Sequence, residues 1–347
     1  MSNVDIVVFG SGPTAVFAHS FLTRLGARAR LVGSFRNGSI VPVETPHGPV
    51  TLVPVLPPVP APAYPPTAPK SGSLIVRTVG DSSWIDHLVF APGSLLGELF
   101  GNRDGAAMAY KQYGPPVQRR PLSQVRRKVA RAYGGSPRGR SGYTDGLSPY
   151  FPSMASALRA AIPPPSAVVE WRPRSREVVV AEEAAPIRYS RLVYAGSLSH
   201  LAAAVGQAPQ GAEYAPATLA LYGANGEVDV NNLIYDLRPG SPIFRVFTPR
   251  SRVALVQYSQ LSTGGTEREA ATKSALWELF HRSFEIIGQE TLLPKAYPME
   301  SLTPDAQAAM DTACADLGIL RFGREAMARY VDLHELPWSD LERWCHD

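Results

Sequence analysis

Apolar positions fall in short blocks whose period switches between strand-like and helix-like along the chain, and this alternation predicts an α/β fold. Asp5-Ile-Val-Val-Phe9 is a compact β-rich run of the kind buried on both faces of a parallel sheet. It leads into Gly10-Ser11-Gly12-Pro13-Thr14-Ala15, after which Val16, Phe17, Phe21, Leu22 and Leu25 recur at helical spacing. Pro13 suits a first helical turn, where a missing N–H costs nothing, and Gly26 stops the helix. Residues 28–32 read as a second strand and complete a β-α-β unit.

Further along, short apolar runs predict strands over 74–78, 168–171, 177–181, 188–194, 219–222, 232–235, 243–248 and 252–258. Helical patterns cover parts of 94–110, 122–133 and 151–162. Thr266-Glu-Arg-Glu269 has the form of a capping box, and Leu276, Phe280, Phe284 and Ile287 continue one helical face to Gly288, with Trp277 assigned to the core. Thr303-Pro304 starts another helix ending at Gly318, followed by a strand at 319–322, a Gly323-Arg324 turn and a helical stretch holding Tyr330. Residues 1–70, 160–200 and 295–347 are expected to build a discontinuous dinucleotide-binding domain, with 71–159 and 201–294 an inserted mixed-sheet substrate or cap domain.

Composition restrains this picture. The chain has 347 residues, 45% apolar and 18% charged, enough to bury a core and too sparsely charged for a disordered chain. Its 33 prolines are roughly twice the ~5% norm, and eleven of them crowd residues 41–69, which excludes helix there. No apolar run approaches a membrane span, no targeting segment is evident, and a cytoplasmic location is expected. Two cysteines and no His/Cys cluster argue against a metal.

Charge matters where it is concentrated. Between Asp104 and Asp145 lie nine basic residues and no acid, while the other residues carry 25 basic against 30 acidic side chains, so the net +4 arises in this segment. Residues 111–140 therefore read either as a solvated basic face or as a contact for a phosphorylated small-molecule substrate or an acidic partner protein. Sparse interleaving by aromatics argues against nucleic acid.

The sharpest chemical signal is the turn at residue 10. In Gly10-x-Gly12-x-x-Ala15, the first glycine permits the tight turn, the second lets a diphosphate approach the backbone, and the small third residue lets helix and strand pack closely. The helix start offers free amides and a positive dipole end to an anion. An acid expected about 20 residues on, for the adenosine ribose, is absent: the second strand ends Val32-Gly33-Ser34-Phe35-Arg36. Ser34 and Arg36 would instead hold a ribose hydroxyl or a 2′-phosphate, which keeps NADP open beside FAD, and an empty fold open beside both.

These landmarks together resemble the FAD-binding superfamily of amine oxidases, protoporphyrinogen oxidase and UDP-galactopyranose mutase. The similarity rests on Gly10-x-Gly12-x-x-Ala15, on Phe151-Pro152, on Arg188-Tyr-Ser-Arg-Leu-Val-Tyr-Ala-Gly-Ser-Leu-Ser-His-Leu201, on Pro242-Ile-Phe-Arg-Val-Phe247 and on Ile319-Leu-Arg-Phe-Gly-Arg-Glu-Ala-Met-Ala-Arg-Tyr330, covering about half the chain. The resemblance implies a Rossmann-like FAD/NAD(P)-binding fold in which Gly10, Ser11, Gly12, Pro13, Thr14 and Ala15 face the diphosphate and Gly323 and Arg324 lie beside the flavin. It implies a flavin-dependent oxidoreductase; a mutase-like isomerase and a non-catalytic subunit serving as a binding partner are the alternatives. His200, Arg245, Tyr258 and Tyr330 are the candidates for side chains near a ring.

Overall fold

The computed structural model describes residues 4–10, 12–33, 42–48, 50–51, 75–88, 103–114, 141–142, 167–207, 214–298, 303–323, 326–327 and 336–346. Strand β1 (Val4–Phe9), helix α1 (Pro13–Arg24) and strand β2 (Ala29–Val32) open the chain. The short strands β3 (Pro42–Val43) and β4 (Val50–Thr51) form a separate hairpin within the proline-rich region. Next come β5 (Ile75–Val79), a 3₁₀ turn at Ser83–His87, α2 (Arg103–Tyr113) and β6 (Ser141–Gly142). Strands β7 (Val168–Arg172), β8 (Glu177–Val180) and β9 (Ile187–Tyr194) precede helix α3 (Leu198–Ala204). Strands β10 (Tyr214–Ala224), β11 (Asn232–Asp236), β12 (Ile243–Arg250) and β13 (Val253–Tyr258) lead to helix α4 (Thr266–Phe280). The C-terminal third closes with β14 (Phe284–Ile286), β15 (Thr291–Pro298), α5 (Pro304–Asp316), β16 (Ile319–Arg321) and α6 (Trp338–His346).

Strand β1 sets the layering. Ile6 and Val8 are buried against α1 residues such as Phe17, Phe21 and Leu22, whereas Val7 and Phe9 join Val178, Val180 and Ile187 of the antiparallel strands on the other face. Burial on both sides is what an uninterrupted apolar strand requires, and it fits the parallel pairing of β1 with β2 and with β9. The N-terminal half of β9 pairs with β8, and its C-terminal half with β16, so the first sheet is mixed.

A second sheet of eight strands contains β5, β6 and β10–β15. Alternate residues divide its faces. Leu219, Leu221, Leu233, Tyr235, Phe247 and Leu255 share one core with Ile6, Val8 and α1. Ala220, Tyr222, Val246, Val256 and Tyr258 pack with Ala275 and Leu276 of α4 on the opposite face. This is an α/β architecture with two mixed sheets joined through a common core, and the predicted fold class holds. Among the described residues no helix is long and apolar enough to cross a membrane.

Three sequence-based expectations need correction. Helix α4 ends at Phe280, because His281 turns left-handed at φ 52° with its amide on the Trp277 carbonyl, and Phe284 and Ile286 belong to strand β14. The apolar residues still bury together, with the Phe280 and Phe284 rings 5.5 Å apart, but across a turn. The expected capping box does not form: the N-cap is Gly265, Thr266 is already helical, and Glu269 pairs with Lys273 one turn on at 2.9 Å instead of reaching back. Trp277 is 56% exposed rather than buried. Strand β15 and helix α6 were not expected, although Trp338, Leu341, Trp344 and Cys345 recur at helical spacing in α6 and pack on the core shared with α1. The helices expected at 122–133 and 151–162 lie outside the described residues.

Lys111, grouped by sequence with the basic segment, also departs from expectation. Its side chain is fully buried, and its ammonium donates to the carbonyls of Asp236 (2.7 Å) and Arg238 (2.8 Å), fastening α2 to the end of β11. Lys111 is therefore unavailable to any partner; residues 115–140 lie outside the described residues. Desolvation pushes its pKa down from 10.5 to about 8. Because the folded value lies below the unfolded one, the unfolded state binds more protons between the two, and stability from this group rises with pH across that window. The unfolding free energy of wild type relative to Lys111→Met is expected to grow as pH is raised from 8 to 10.5, followed by urea denaturation. A difference that stays flat across that range contradicts the buried placement.

Candidate functional site

The site grows from one row of backbone hydrogen bonds at the C-terminal ends of the parallel strands. Gly10 donates to the Val32 carbonyl (2.8 Å), Ala195 to Phe9 (2.8 Å) and Phe322 to Tyr194 (2.9 Å), so β2, β1, β9 and β16 end together. Three glycine positions then carry different constraints. Gly10 has φ 149°, and a Cβ there would meet the Ala195 carbonyl oxygen at 2.9 Å and the Ala15 methyl at 3.1 Å. Gly323 has φ 115°, and its Cβ would meet Thr14 at 2.8 Å, so the β16 turn closes directly on the start of α1.

Gly12 is the opposite case. It is the N-cap of α1 in extended conformation (φ −85°, ψ 174°), and among the described residues a Cβ added to it meets nothing within 4 Å. Pro13 occupies the first turn, no side chain caps the helix, and no acid lies in that turn. Among the described residues the result is a helix start without a side-chain cap and with room before it, whose first amides and dipole favour an anion. These features fit a diphosphate. The second strand ends without a carboxylate: β2 runs out at Val32, and Glu44 is exposed in the separate hairpin. Ser11, Ser34, Arg36, Arg324 and Tyr330 lie outside the described residues.

The remaining candidates occupy three separate environments. His200 stands on α3 beside Phe9, Trp171 and Tyr194, with ring centroids 5.6, 5.7 and 6.2 Å away. The Tyr194 hydroxyl donates to the Ser197 carbonyl (2.9 Å), so its 2.9 Å contact with His200 Nδ1 uses the tyrosine oxygen as acceptor and leaves Nε2 as the bare nitrogen. Burial pushes the His200 pKa down, which favours this neutral imidazole. Arg245 lies on β12, its Nε held by Gln257 Oε1 at 2.8 Å, in the row that joins Tyr235 and Leu219 across the sheet. That row faces the core shared with α1. Tyr258 is buried on the other face, under α4, with its hydroxyl 2.8 Å from that of Tyr222 and the Arg268 guanidinium 4.3 Å from its ring centre. Desolvation raises its pKa.

Sequence reasoning flagged 188–201 as a unit but not the aromatic group around Tyr194. Phe9 and Trp171 are brought to it only by strand pairing, for which neither residue carries a local signal.

Comparison with known proteins places this arrangement. The chain shares its overall fold with several solved structures. Among solved structures it is similar to a reduced UDP-galactopyranose mutase (12% identity, 95% of this chain and 90% of that one, TM-score 0.57). It is also similar to cyclohexylamine oxidase from Brevibacterium oxydans (11% identity, 99% of each chain, TM-score 0.55) and to a protoporphyrinogen oxidase-like protein from Exiguobacterium sp. (11% identity, 100% and 99%, TM-score 0.53). No protein-family model matches the sequence. No curated protein matches it either.

The two glycines of the turn are expected to respond differently to the same change. Gly10→Ala forces a methyl against a carbonyl at an unfavourable φ and is expected to cost about 2 kcal/mol or more, whereas Gly12→Ala should cost about 1 kcal/mol or less. Urea unfolding of the ligand-free protein measures both; equal costs contradict the geometry of the turn.

Proposed function

We propose that the protein is an FAD-dependent oxidoreductase of the amine oxidase-like superfamily. The observation that carries this reading is the open, uncapped start of α1 at Gly12, beside the walls formed by Ala195 and Gly323. When bound, FAD supplies the hydride or electron-pair chemistry that protein side chains lack.

The chain's own contribution is binding and orientation. The α1 amides would hold the diphosphate at a place where Gly12 leaves room, and the contact between Gly323 and Thr14 would close the corner behind it. His200, oriented by Tyr194 and with its pKa pushed down by partial desolvation, would offer Nε2 as a proton acceptor at the same end of the sheet. Arg245, oriented by Gln257, would present positive charge to an anionic part of a substrate lying against the inner face of the second sheet. A mutase-like isomerisation is the second reading, favoured by the similarity to the reduced UDP-galactopyranose mutase structure.

Gly12→Asp tests the site without breaking the fold. Aspartate is a good N-cap, so the variant should be as stable as wild type or more so, while its carboxylate occupies the anion position and repels a diphosphate. Purified wild-type protein is expected to be yellow and to release FAD on denaturation; the variant is expected to be colourless and to take up no added FAD. A wild type that binds no FAD overturns the enzymatic reading and favours a non-catalytic role. A yellow Gly12→Asp protein would move the cofactor elsewhere. With flavin bound, oxygen consumption with amines supports the oxidase, and conversion without net redox turnover supports the isomerase.

A further inference from the structure

A second pocket, of about 240 Å³, opens where the end of α4 passes over β11 and β5. It lies on the α4 side of the second sheet: Asn232 and Ile234 line it, whereas Leu233 and Tyr235 between and beyond them point into the core shared with α1. It is therefore distinct from the corner at Gly12.

Its lining carries an unusual charge arrangement. Arg77 on β5 and Arg282 after α4 supply two guanidinium groups, and Glu227 and Asp229, from the connection between β10 and β11, supply two carboxylates. Opposite charges sharing one small pocket ordinarily pair. Here none of the four side chains enters an ion pair among the described residues; Arg282 donates only to the neighbouring His281 carbonyl at 2.9 Å. Asn232, also in the lining, is 2% exposed, and its Oδ1 has no hydrogen-bond partner, although its amide nitrogen donates to the Asp229 carbonyl at 3.1 Å. A buried acceptor without a donor is costly, and a ligand N–H removes that cost. Leu279 and Phe280 add an apolar wall.

We propose that this pocket binds a small zwitterion, an α-amino acid with an apolar side chain. Its carboxylate would engage Arg77 and Arg282, its ammonium would engage Asp229, Glu227 and the orphan Asn232 oxygen, and its side chain would rest on Leu279 and Phe280. An ion of one sign would satisfy one pair of charges and leave the other facing it. The volume, below the ~300–1,000 Å³ of drug-sized sites, suits an amino acid.

Calorimetric titration of the full-length protein tests this, with L-leucine, N-acetyl-L-leucine and isoamylamine as probes. Saturable leucine binding is expected, with both single-charge analogues weaker by about tenfold or more. Arg77→Gln and Glu227→Gln alter exposed side chains that hold no hydrogen bond or ion pair among the described residues, so each should keep the wild-type melting temperature and weaken leucine binding by about tenfold. Absence of saturable leucine binding overturns the proposal. So does leucine binding that is unchanged in both variants, which would place the amino acid at another site, or equal binding of the acetylated analogue, which would show that the ammonium is not recognised.

Discussion

Everything at the candidate site depends on how closely the backbone at Gly10 approaches Ala195. Phe9 pairs with Tyr194 and Tyr194 with Arg321, so the parallel strands finish in one line. At that line the chain must turn into α1 without a side chain between neighbouring backbones, which a Cβ at residue 10 would prevent. Once this approach is made, Ala15 can sit fully buried beneath it and Thr14 can meet Gly323. The opening at Gly12 results from the same contact: the neighbours are packed against positions 10, 14 and 15, leaving position 12 as the place where the helix start remains open.

The second sheet is held to this corner by shared apolar surface. Leu219, Leu221, Leu233 and Leu255 from one sheet and Val16, Phe17 and Leu22 from α1 are buried in a single core. Each such side chain contributes about 1.5–3 kcal/mol relative to exposure, so the packing sum far exceeds what surface ion pairs such as Arg28–Asp5 can supply. This fixes Arg245 and Gln257 relative to α1. The buried Lys111 anchor serves the same purpose farther out, tying α2 to the end of β11 through two backbone carbonyls.

What the sequence disclosed was what local geometry determines. The strand, glycine turn and helix at 5–25 were legible because the φ at Gly10, the proline in the first turn and the apolar helical face are all properties of adjacent residues. The strands at 168–194 and 243–258 were legible for the same reason. Lys111 was misread because charge patterning assigns a lysine to solvent, whereas its carbonyl partners lie 125 and 127 residues away. Helix α4 was read too far because apolar spacing continued past His281, and a non-glycine residue in the left-handed region leaves no mark in the sequence. The aromatic group at His200 and the pocket beside Asn232 were invisible, since each is assembled from strands far apart in the chain. Of the candidate site, the glycine turn between β1 and α1 was readable and the side chains around it were not.

Strand β11 joins these separately built features. Every residue from Asn232 to Asp236 is buried, with Leu233 and Tyr235 on the face shared with α1 and Asn232 and Ile234 on the face of the second pocket. The backbone of such a strand cannot rotate to relieve one face without disturbing the other, because a shift of one residue exchanges the two sets of side chains. A ligand that supplied the missing partner of Asn232 would therefore stiffen the same backbone that positions Tyr235 beside Arg245. Coupling of this kind is limited by the ligand's differential affinity for the stiffer and looser states, and it acts in both directions. The two faces of the second sheet thus share β11, with alternating side chains committed to each.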